Sequence, residues 1–546
     1  MISRSLGHRA PLLWLVLPFM AGLAAGKAGD FFPVPWLLAG AGLASAFGII
    51  AAWRGWRGCW VAALGVAMVL AGAASYALHR PRVTAWDTLP PREARLTLRI
   101  DRVFAQADAR KSSGLATVVH ADAPVQELRD QRLYFSLMLR KGEPPPLRGA
   151  IIKAIGVLVT LPRDPPANTF DGYLASAGIN FRLTRGRTLA EVQPAPAYSR
   201  FCARTLARFS ALLGAGVEAK RPGLVGVLRA MLLGQQHELS DEQNTLFRQS
   251  GTMHVFSISG LHIAVIAAGL TALLSLLRLP KIVVLLIGLV ALWLYVDITG
   301  AAPSAVRAFV MVAFVQLSFV LRVPRNPLSA LTASALLVLL VTPLDLFSAS
   351  FQMSYGIVAA LLVLGLPLTD RWQAAGVLFR DLPTISWAWH HHGRDALWRT
   401  VIASLGIGLV SALVGAVTGV QFFNLFTPGA LLANLWVIPA STLVILLGLV
   451  SLLSGLAGFT AGTVLANHAA VLVLWAVDHG VRGNLQLPGM WFAATFRAPW
   501  VGGTALAALL TVMFIGYAKD WRGWSRGFWP PFAVVALTLI FGVSYG

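Results

Sequence analysis

Cysteine is nearly absent: Cys59 and Cys202 are the only two in 546 residues. That excludes a disulfide framework. Cys59 opens an apolar segment and Cys202 follows a polar region, so no mutual bridge is expected. Charge is also scarce. Only 12% of residues are charged, 57% are hydrophobic and the mean hydropathy is +0.69, which excludes a soluble enzyme and describes a polytopic membrane protein. Acidic residues are fewest: 23 against 44 Lys and Arg, a net charge of +21. Cytoplasmic loops collect Lys and Arg for orientation alone, so this excess does not by itself indicate a ligand. Three motifs are missing as well. Without His-Glu-x-x-His, Cys-x-x-Cys or Gly-x4-Gly-Lys-Ser/Thr, a zincin site, a zinc ribbon and a built-in P-loop ATPase are unsupported. No metal or cofactor is expected.

What is present is apolar sequence in thirteen runs. Three come first, near Pro11–Gly26, Val34–Trp53 and Cys59–Leu78. The first follows a short basic start without a small-residue cleavage site and reads as an uncleaved helix. Ten more lie near 254–277, 281–298, 303–321, 328–345, 350–368, 400–420, 429–455, 462–478, 501–518 and 530–545. The proline-containing piece Asn424–Pro439 is open to a re-entrant reading. The expected class is a mainly α, polytopic helical membrane protein with about 11–13 transmembrane helices.

Between the third and fourth runs the pattern changes. Arg95-Leu-Thr-Leu-Arg-Ile100 and Arg132-Leu-Tyr-Phe-Ser-Leu-Met-Leu-Arg140 alternate apolar and polar residues, and Ile151–Val159 and Ile179–Leu183 are strand-like. Period-two runs with Pro/Gly punctuation predict a small inserted antiparallel β domain, OB-like. Phe201–Phe247 reads as amphipathic helices, with Ser240 and Gln243 spaced as a capping box. The expected units are 1–78, a three-helix membrane region; 79–200, an extracytoplasmic β domain; 201–250, surface helices; and 251–546, a transmembrane core.

Loop charges orient this map. With the N-terminus inside, the inner loops hold fifteen Lys/Arg, from Arg4 to Arg526, and the short outer loops only Lys27, Arg482 and Arg497. That asymmetry predicts a cytoplasmic N-terminus, an extracytoplasmic C-terminus and an external β domain. Residues 79–200 carry 19 Lys/Arg against 11 Asp/Glu. Arg95 and Arg99 share one strand face; Arg132, Tyr134 and Arg140 share another. Basic strands with an aromatic between suit single-stranded nucleic acid, although solvated strand faces are also often Arg-rich.

The stretch from Arg248 to His262 leads into the fourth apolar run yet carries His254, Ser257, Ser259, Gly260 and His262. Polar groups are expensive in lipid and mark a cavity, a site or a helix contact. Three readings are open. On a regular helix His254, Ser259 and His262 fall within an arc of about 140°, as an aqueous entrance requires. Ser259 with His262 as base would make an intramembrane hydrolase, but the Gly-x-Ser-x-Gly elbow is missing and side chains at i and i+3 rarely align for proton transfer. Interhelical hydrogen bonding alone is the third reading. Arg307 lies roughly 10 Å into its helix at 1.5 Å per residue. A central arginine costs about 2.5–3.5 kcal/mol on insertion scales, so it faces a pore or a structural partner, with Asp297 the obvious candidate. Gln352, Ser354, Asn434, Asn467 and His468 read mostly as interhelical glue, with Gln352 and Asn434 also candidates, beside His254, Ser259, His262 and Arg307, to line a pore. His390-His-His392 reads as a solvated loop.

In order, Asn168-Thr-Phe-Asp-Gly-Tyr-Leu-Ala-Ser-Ala-Gly-Ile179, Leu232-Leu-Gly-Gln235, Leu246-Phe-Arg-Gln-Ser-Gly251, Ile258-Ser-Gly-Leu-His262, Pro303-Ser-Ala-Val-Arg307, Asn326-Pro-Leu-Ser-Ala330, Ser350-Phe-Gln-Met-Ser-Tyr355 and Asn434-Leu-Trp-Val-Ile-Pro439 resemble the motifs of the ComEC-type competence proteins. These are inner-membrane channels for DNA uptake in natural transformation. The resemblance implies passage of single-stranded DNA across the bacterial plasma membrane, with a DNA receptor outside and a helicase-like ATPase inside. Many members also carry a metallo-β-lactamase-like domain. No His-x-His-x-Asp-His run occurs in this sequence, so nuclease activity is not expected of it. A small-solute transporter would show inverted repeats, and no clear repeat is visible.

Overall fold

The computed structural model describes residues 10–29, 32–80, 90–106, 108, 110–320, 326–379, 386–521 and 527–546. Three helices come first: α1 (Leu13–Ala28), α2 (Val34–Trp53) and α3 (Arg57–His79). α1 and α3 touch backbone to backbone. A Cβ on Gly22 would lie 2.0 Å from the Val69 carbonyl oxygen, and one on Gly72 2.3 Å from that of Phe19. Only glycine permits that approach, the small-residue packing usual where lipid offers no hydrophobic drive.

The β domain follows. β1 (Arg92–Phe104), β2 (Lys111–Ala121), β3 (Arg132–Met138), β4 (Ile151–Thr160) and β5 (Phe181–Gln193) close a barrel in the order β1-β2-β3-β5-β4. Its interior holds Leu96, Leu98, Ile100, Leu133, Phe135, Leu137, Ile152, Leu158, Phe181 and Leu183, the apolar half of each alternation. Two expectations are corrected. The barrel is not wholly antiparallel, because β3 and β5 run parallel. Five strands are an odd number, so a closed ring must contain one parallel neighbour pair. β2 was missed because both its faces are covered. Ser112 to Thr117 includes five consecutive buried positions and one half-buried one, which erases the period-two signal. A short helix, α4 (Phe170–Ser176), caps the outside between β4 and β5.

Next come α5 (Ala197–Gly214), α6 (Pro222–Leu233) and α7 (Asp241–Gln249). The expected capping box starts α7: the Gln243 N–H donates to Ser240 Oγ and the Ser240 N–H to Gln243 Oε1, both at 3.1 Å. The core then runs through α8 (Gly260–Leu276), α9 (Lys281–Ile298), α10 (Pro303–Val320), α11 (Pro327–Val341), α12 (Ala349–Ala375), α13 (Trp389–Phe423), α14 (Ala430–Leu456), α15 (Thr460–Leu485), α16 (Val501–Ala518) and α17 (Trp529–Phe541). Each of the thirteen expected apolar runs is a helix. Among the described residues nine are long and apolar enough to cross a membrane; α1, α10, α11 and α17 are apolar but shorter. Pro439 sits inside the continuous 27-residue α14, so the re-entrant alternative is overturned there. His390–His392 lie in the first turn of α13 rather than in a loop.

The barrel rests on one end of the bundle. Arg80 Nη2 at the end of α3 donates to the Arg163 carbonyl at 2.8 Å. Arg148 pairs with Asp297, near the end of α9, at 2.5 Å. Asn168 Nδ2 donates to Asn424 Oδ1, just past α13, at 3.0 Å. Because successive apolar helices alternate direction, the starts of α8, α10, α12 and α14 all lie at this end. Arg54, Arg57, Arg278, Lys281, Arg371, Arg394, Arg399 and Lys519 lie at the other. The remaining inner-loop cations of the charge map, Arg4, Arg9, Arg322, Arg325, Arg380, Arg522 and Arg526, lie outside the described residues.

Candidate nucleic-acid interface and membrane mouth

The barrel register sets side chains in rows. Arg99 is opposite Thr117, and Thr117 opposite Arg132. Asp101 joins them: Thr117 Oγ1 donates to it at 2.6 Å, and Arg99 and Arg132 approach to 3.6 and 3.9 Å. The next row is Arg102, Leu115, Tyr134 and Arg182. Around Tyr134 the strands and α4 assemble four rings. Centroid separations are 6.3 Å for Phe104–Tyr134, 6.2 Å for Phe104–Tyr173, 5.1 Å for Tyr134–Phe170 and 5.9 Å for Phe170–Tyr173. The Arg102 guanidinium lies 5.6 Å from the Phe104 ring, and Arg182 pairs with Asp171 at 2.7 Å. Phe170 and Tyr173 remain exposed.

The structure thus brings together Arg99, Arg132 and Tyr134. Arg95 lies four residues back along β1, opposite Ile155 of β4. Arg140 lies beyond the end of β3, its N–H bonded to Glu143. Neither joins the cluster. Phe104, Arg102, Phe170, Tyr173 and Arg182 were missed as site residues. Phe170-Asp-Gly-Tyr173 was visible as a motif, but only the fold shows that it packs against Tyr134.

Below this face lies the barrel-side end of the bundle. Arg132 Nη1 donates to the Ala177 carbonyl at 3.4 Å, and the next residue, Gly178, packs against Leu344. Leu344 belongs to the 3-10 turn Pro343–Phe347 between α11 and α12, which also carries Asp345. Burial pushes the Asp345 carboxyl above its ordinary range, opposed first by Arg307 and also by the barrel's Arg132 and Arg102.

Arg307, in the second turn of α10, is 1% exposed. Its Nη2 donates to the Ser350 carbonyl at 2.7 Å and to the Ser350 hydroxyl. Its Nη1 lies 3.8 Å from Asp345 Oδ2, too far for a hydrogen bond. Among the described residues Nε and Nη1 find no hydrogen-bond acceptor. The expected partner, Asp297, is instead taken by Arg148 of the barrel, because it sits at the far end of the α9–α10 turn, against the barrel loop.

The Ser-Gly-Leu-His stretch is corrected twice. The helix begins only at Gly260, and His254 sits in a separate 3-10 turn, Met253–Val255. The common helical arc for His254, Ser259 and His262 therefore does not exist. Conversely, Ser259 and His262 do align: Ser259 Oγ is 2.8 Å from His262 Nδ1, and the Ser259 N–H donates to the same nitrogen at 3.3 Å. As the residue preceding the first helical turn, Ser259 is extended, which swings its side chain over the third helical residue. A nitrogen accepting from a backbone N–H carries no proton, so the ring proton is on Nε2. That atom is buried and, among the described residues, has no partner.

Ser304 Oγ of α10 donates to the Ile258 carbonyl before α8 at 2.8 Å. Together with Arg307–Ser350, this links the starts of α8, α10 and α12 side by side. Gln352 in the first turn of α12 donates to the Leu346 carbonyl at 3.1 Å, leaving its Oε1 buried and unpartnered; Asn434 Oδ1 near the start of α14 is likewise unpartnered among the described residues. Asn467 behaves differently. Ser451 donates to it at 2.6 Å, and it donates to the Leu212 and Ala215 carbonyls at 2.8 and 3.0 Å. It is satisfied interhelical glue. Among the described residues no group of three or more His, Cys, Asp or Glu is placed to hold a metal ion.

No solved structure matches the chain. It is 31% identical over 142 residues to ComE operon protein 3 of Bacillus subtilis (strain 168), covering 26% of this chain and 18% of that protein. It is 28% identical over 273 residues to Competence protein ComA of Neisseria gonorrhoeae, covering 46% of this chain and 34% of that protein. The aligned parts thus span about a third or less of these relatives' own lengths. The family model described as Competence protein matches residues 231–522, more than half of the sequence, from the last residues of α6 through α16, and on that match this chain belongs to the competence protein family.

Proposed function

We propose that this chain passes single-stranded DNA through the bacterial plasma membrane into the cytoplasm during natural transformation. Membership of the competence family supports a role in DNA uptake. The observation that carries the finer reading is the vertical alignment of the barrel's aromatic and arginine face with Asp345 and Arg307 at the mouth below. A strand with one charge per nucleotide cannot enter hydrocarbon and needs a hydrated, net-positive route. Stacking rings receive bases without reading sequence. His262, Arg307, Gln352 and Asn434 then offer underused polar atoms at the starts of four neighbouring helices, with His254 at the entrance. On this reading the barrel is OB-like and extracytoplasmic, the N-terminus is cytoplasmic and the C-terminus extracytoplasmic. A DNA receptor delivers the strand from outside, and a helicase-like ATPase pulls it from inside.

Deleting the gene in a transformable host is expected to abolish uptake of DNA while leaving its binding to the cell surface intact. Normal transformation in the deletion strain would sink the proposal.

One observation favours a second reading. The 2.8 Å contact between Ser259 and His262 is the geometry of a nucleophile and its base. The third member that orients such a base is missing among the described residues, since His262 Nε2 has no partner. Helix capping accounts for the same contact.

A further inference from the structure

Arg307 is a buried cation whose hydrogen bonding is incomplete. A guanidinium carries five N–H donors, and leaving donors of a charged group unmade in a low-dielectric site is costly. Here one nitrogen serves Ser350 and the other two lack acceptors among the described residues. The nearest carboxylate, Asp345, stands off at 3.8 Å, is itself partly exposed, and bonds instead to Thr342 at 3.3 Å. Asp345 feels Arg307 below and Arg132 and Arg102 above. The pocket around Arg307 is therefore more positive than its resident anion balances, and that anion is held loosely.

We propose that Arg307 is a phosphodiester-binding site, the first the strand meets below the barrel. Asp345 is its resident counter-ion, which an incoming phosphate displaces. The inference rests on the strand-passage reading above and adds a site and its regulation. A phosphate offers the paired oxygens that a guanidinium fork accepts, which a single distant carboxylate oxygen does not. The starts of α10 and α12, on either side, add their positive dipole ends to the same point. When no strand is present, Asp345 neutralises part of this charge and bridges bundle to barrel. When a phosphate arrives, Asp345 swings to the exposed side, where Arg132 and Arg102 remain to hold it.

The test uses the full chain in lipid nanodiscs with two probes, a labelled oligo(dT) and inorganic phosphate. Phosphate is scored by thermal stabilisation against sodium chloride at equal ionic strength. Asp345→Asn keeps the side-chain shape and removes the competing charge. It is expected to tighten binding of both probes by about fivefold or more, because like-charge repulsion at the site is relieved. Arg307→Gln is expected to weaken both by at least as much, and Arg307→Lys to rescue only part, since it restores charge without the fork. In the double variant the Asp345→Asn gain should vanish, because its effect acts through Arg307. An Asp345→Asn protein that binds both probes like wild type overturns the proposal even if Arg307→Gln fails to fold, and where the double variant folds, a gain that survives in it overturns the proposal as well. Failure of the channel reading looks different. The phosphate effect would still depend on Arg307 and Asp345, while gene deletion left transformation unchanged.

Discussion

At the residue scale the informative side chains are those that helix starts leave unfinished. Ser259 and His262 show how much depends on a backbone detail. On a regular helix side chains at i and i+3 rarely align for proton transfer, yet an extended residue ahead of Gly260 brings the two to 2.8 Å. As a cap, Ser259 is worth about 0.5–2 kcal/mol. Ser259→Ala is therefore expected to lower stability by that amount while transformation frequency falls by less than about thirtyfold, the factor that about 2 kcal/mol represents. Loss of all transformation in a Ser259→Ala protein that remains folded in the membrane would restore the catalytic reading. Asn467 marks the other limit. Its polar atoms are all taken by α14 and the end of α5, whereas the side-chain carbonyl of Asn434, which lies in one of the family-like motifs, has no partner among the described residues. Polar residues in apolar runs are visible in a sequence; whether each is satisfied depends on contacts made hundreds of residues away.

At the scale of elements, legibility followed burial on one face. β1 and β3 were readable because each has one buried face and one open one, and the apolar runs were readable because lipid demands continuous apolar helix. β2, covered on both faces, was not. Nor was the aromatic cluster, since its four rings come from β1, β3 and α4 and meet only when the barrel closes. That cluster yields a prediction distinct from simple basicity. Tyr134→Ala or Phe170→Ala is expected to weaken oligo(dT) binding by the full chain about tenfold, within the range measured for losing one base–aromatic stack. Arg95→Ala and Arg140→Ala, outside the cluster, are expected to change it by less than about twofold at the same salt. Fluorescence anisotropy across the four variants separates the alternatives. Losses confined to the two arginine variants would mean that the barrel attracts DNA by charge alone, and the rings would then be no more than the packing that seats α4.

For the whole molecule the open question is which end faces the cytoplasm, and the fold turns a charge argument into a geometric one. The barrel and the start of α13 occupy opposite ends of the bundle, so their accessibilities must be opposite whatever the orientation. The excess of Lys and Arg at the end away from the barrel is the basis for proposing that this end faces inside. Two engineered thiols test this in a background where Cys59 and Cys202 are serine. Gly393 lies in the exposed beginning of α13, where an added Cβ meets nothing within 4 Å, so Gly393→Cys introduces a thiol without strain. Arg187 is exposed on β5, and Arg187→Cys reports the barrel. A membrane-impermeant maleimide added to intact spheroplasts is expected to label the Arg187→Cys protein at once and the Gly393→Cys protein only after permeabilisation. The reverse pattern would put the barrel in the cytoplasm. In that case the aromatic face would receive a strand leaving the membrane rather than one entering it, and Arg307 would be the last phosphate site on the route instead of the first. Labelling of both thiols in intact spheroplasts would contradict the fold itself, because no single orientation of a bundle with these two sites at opposite ends exposes both to one side.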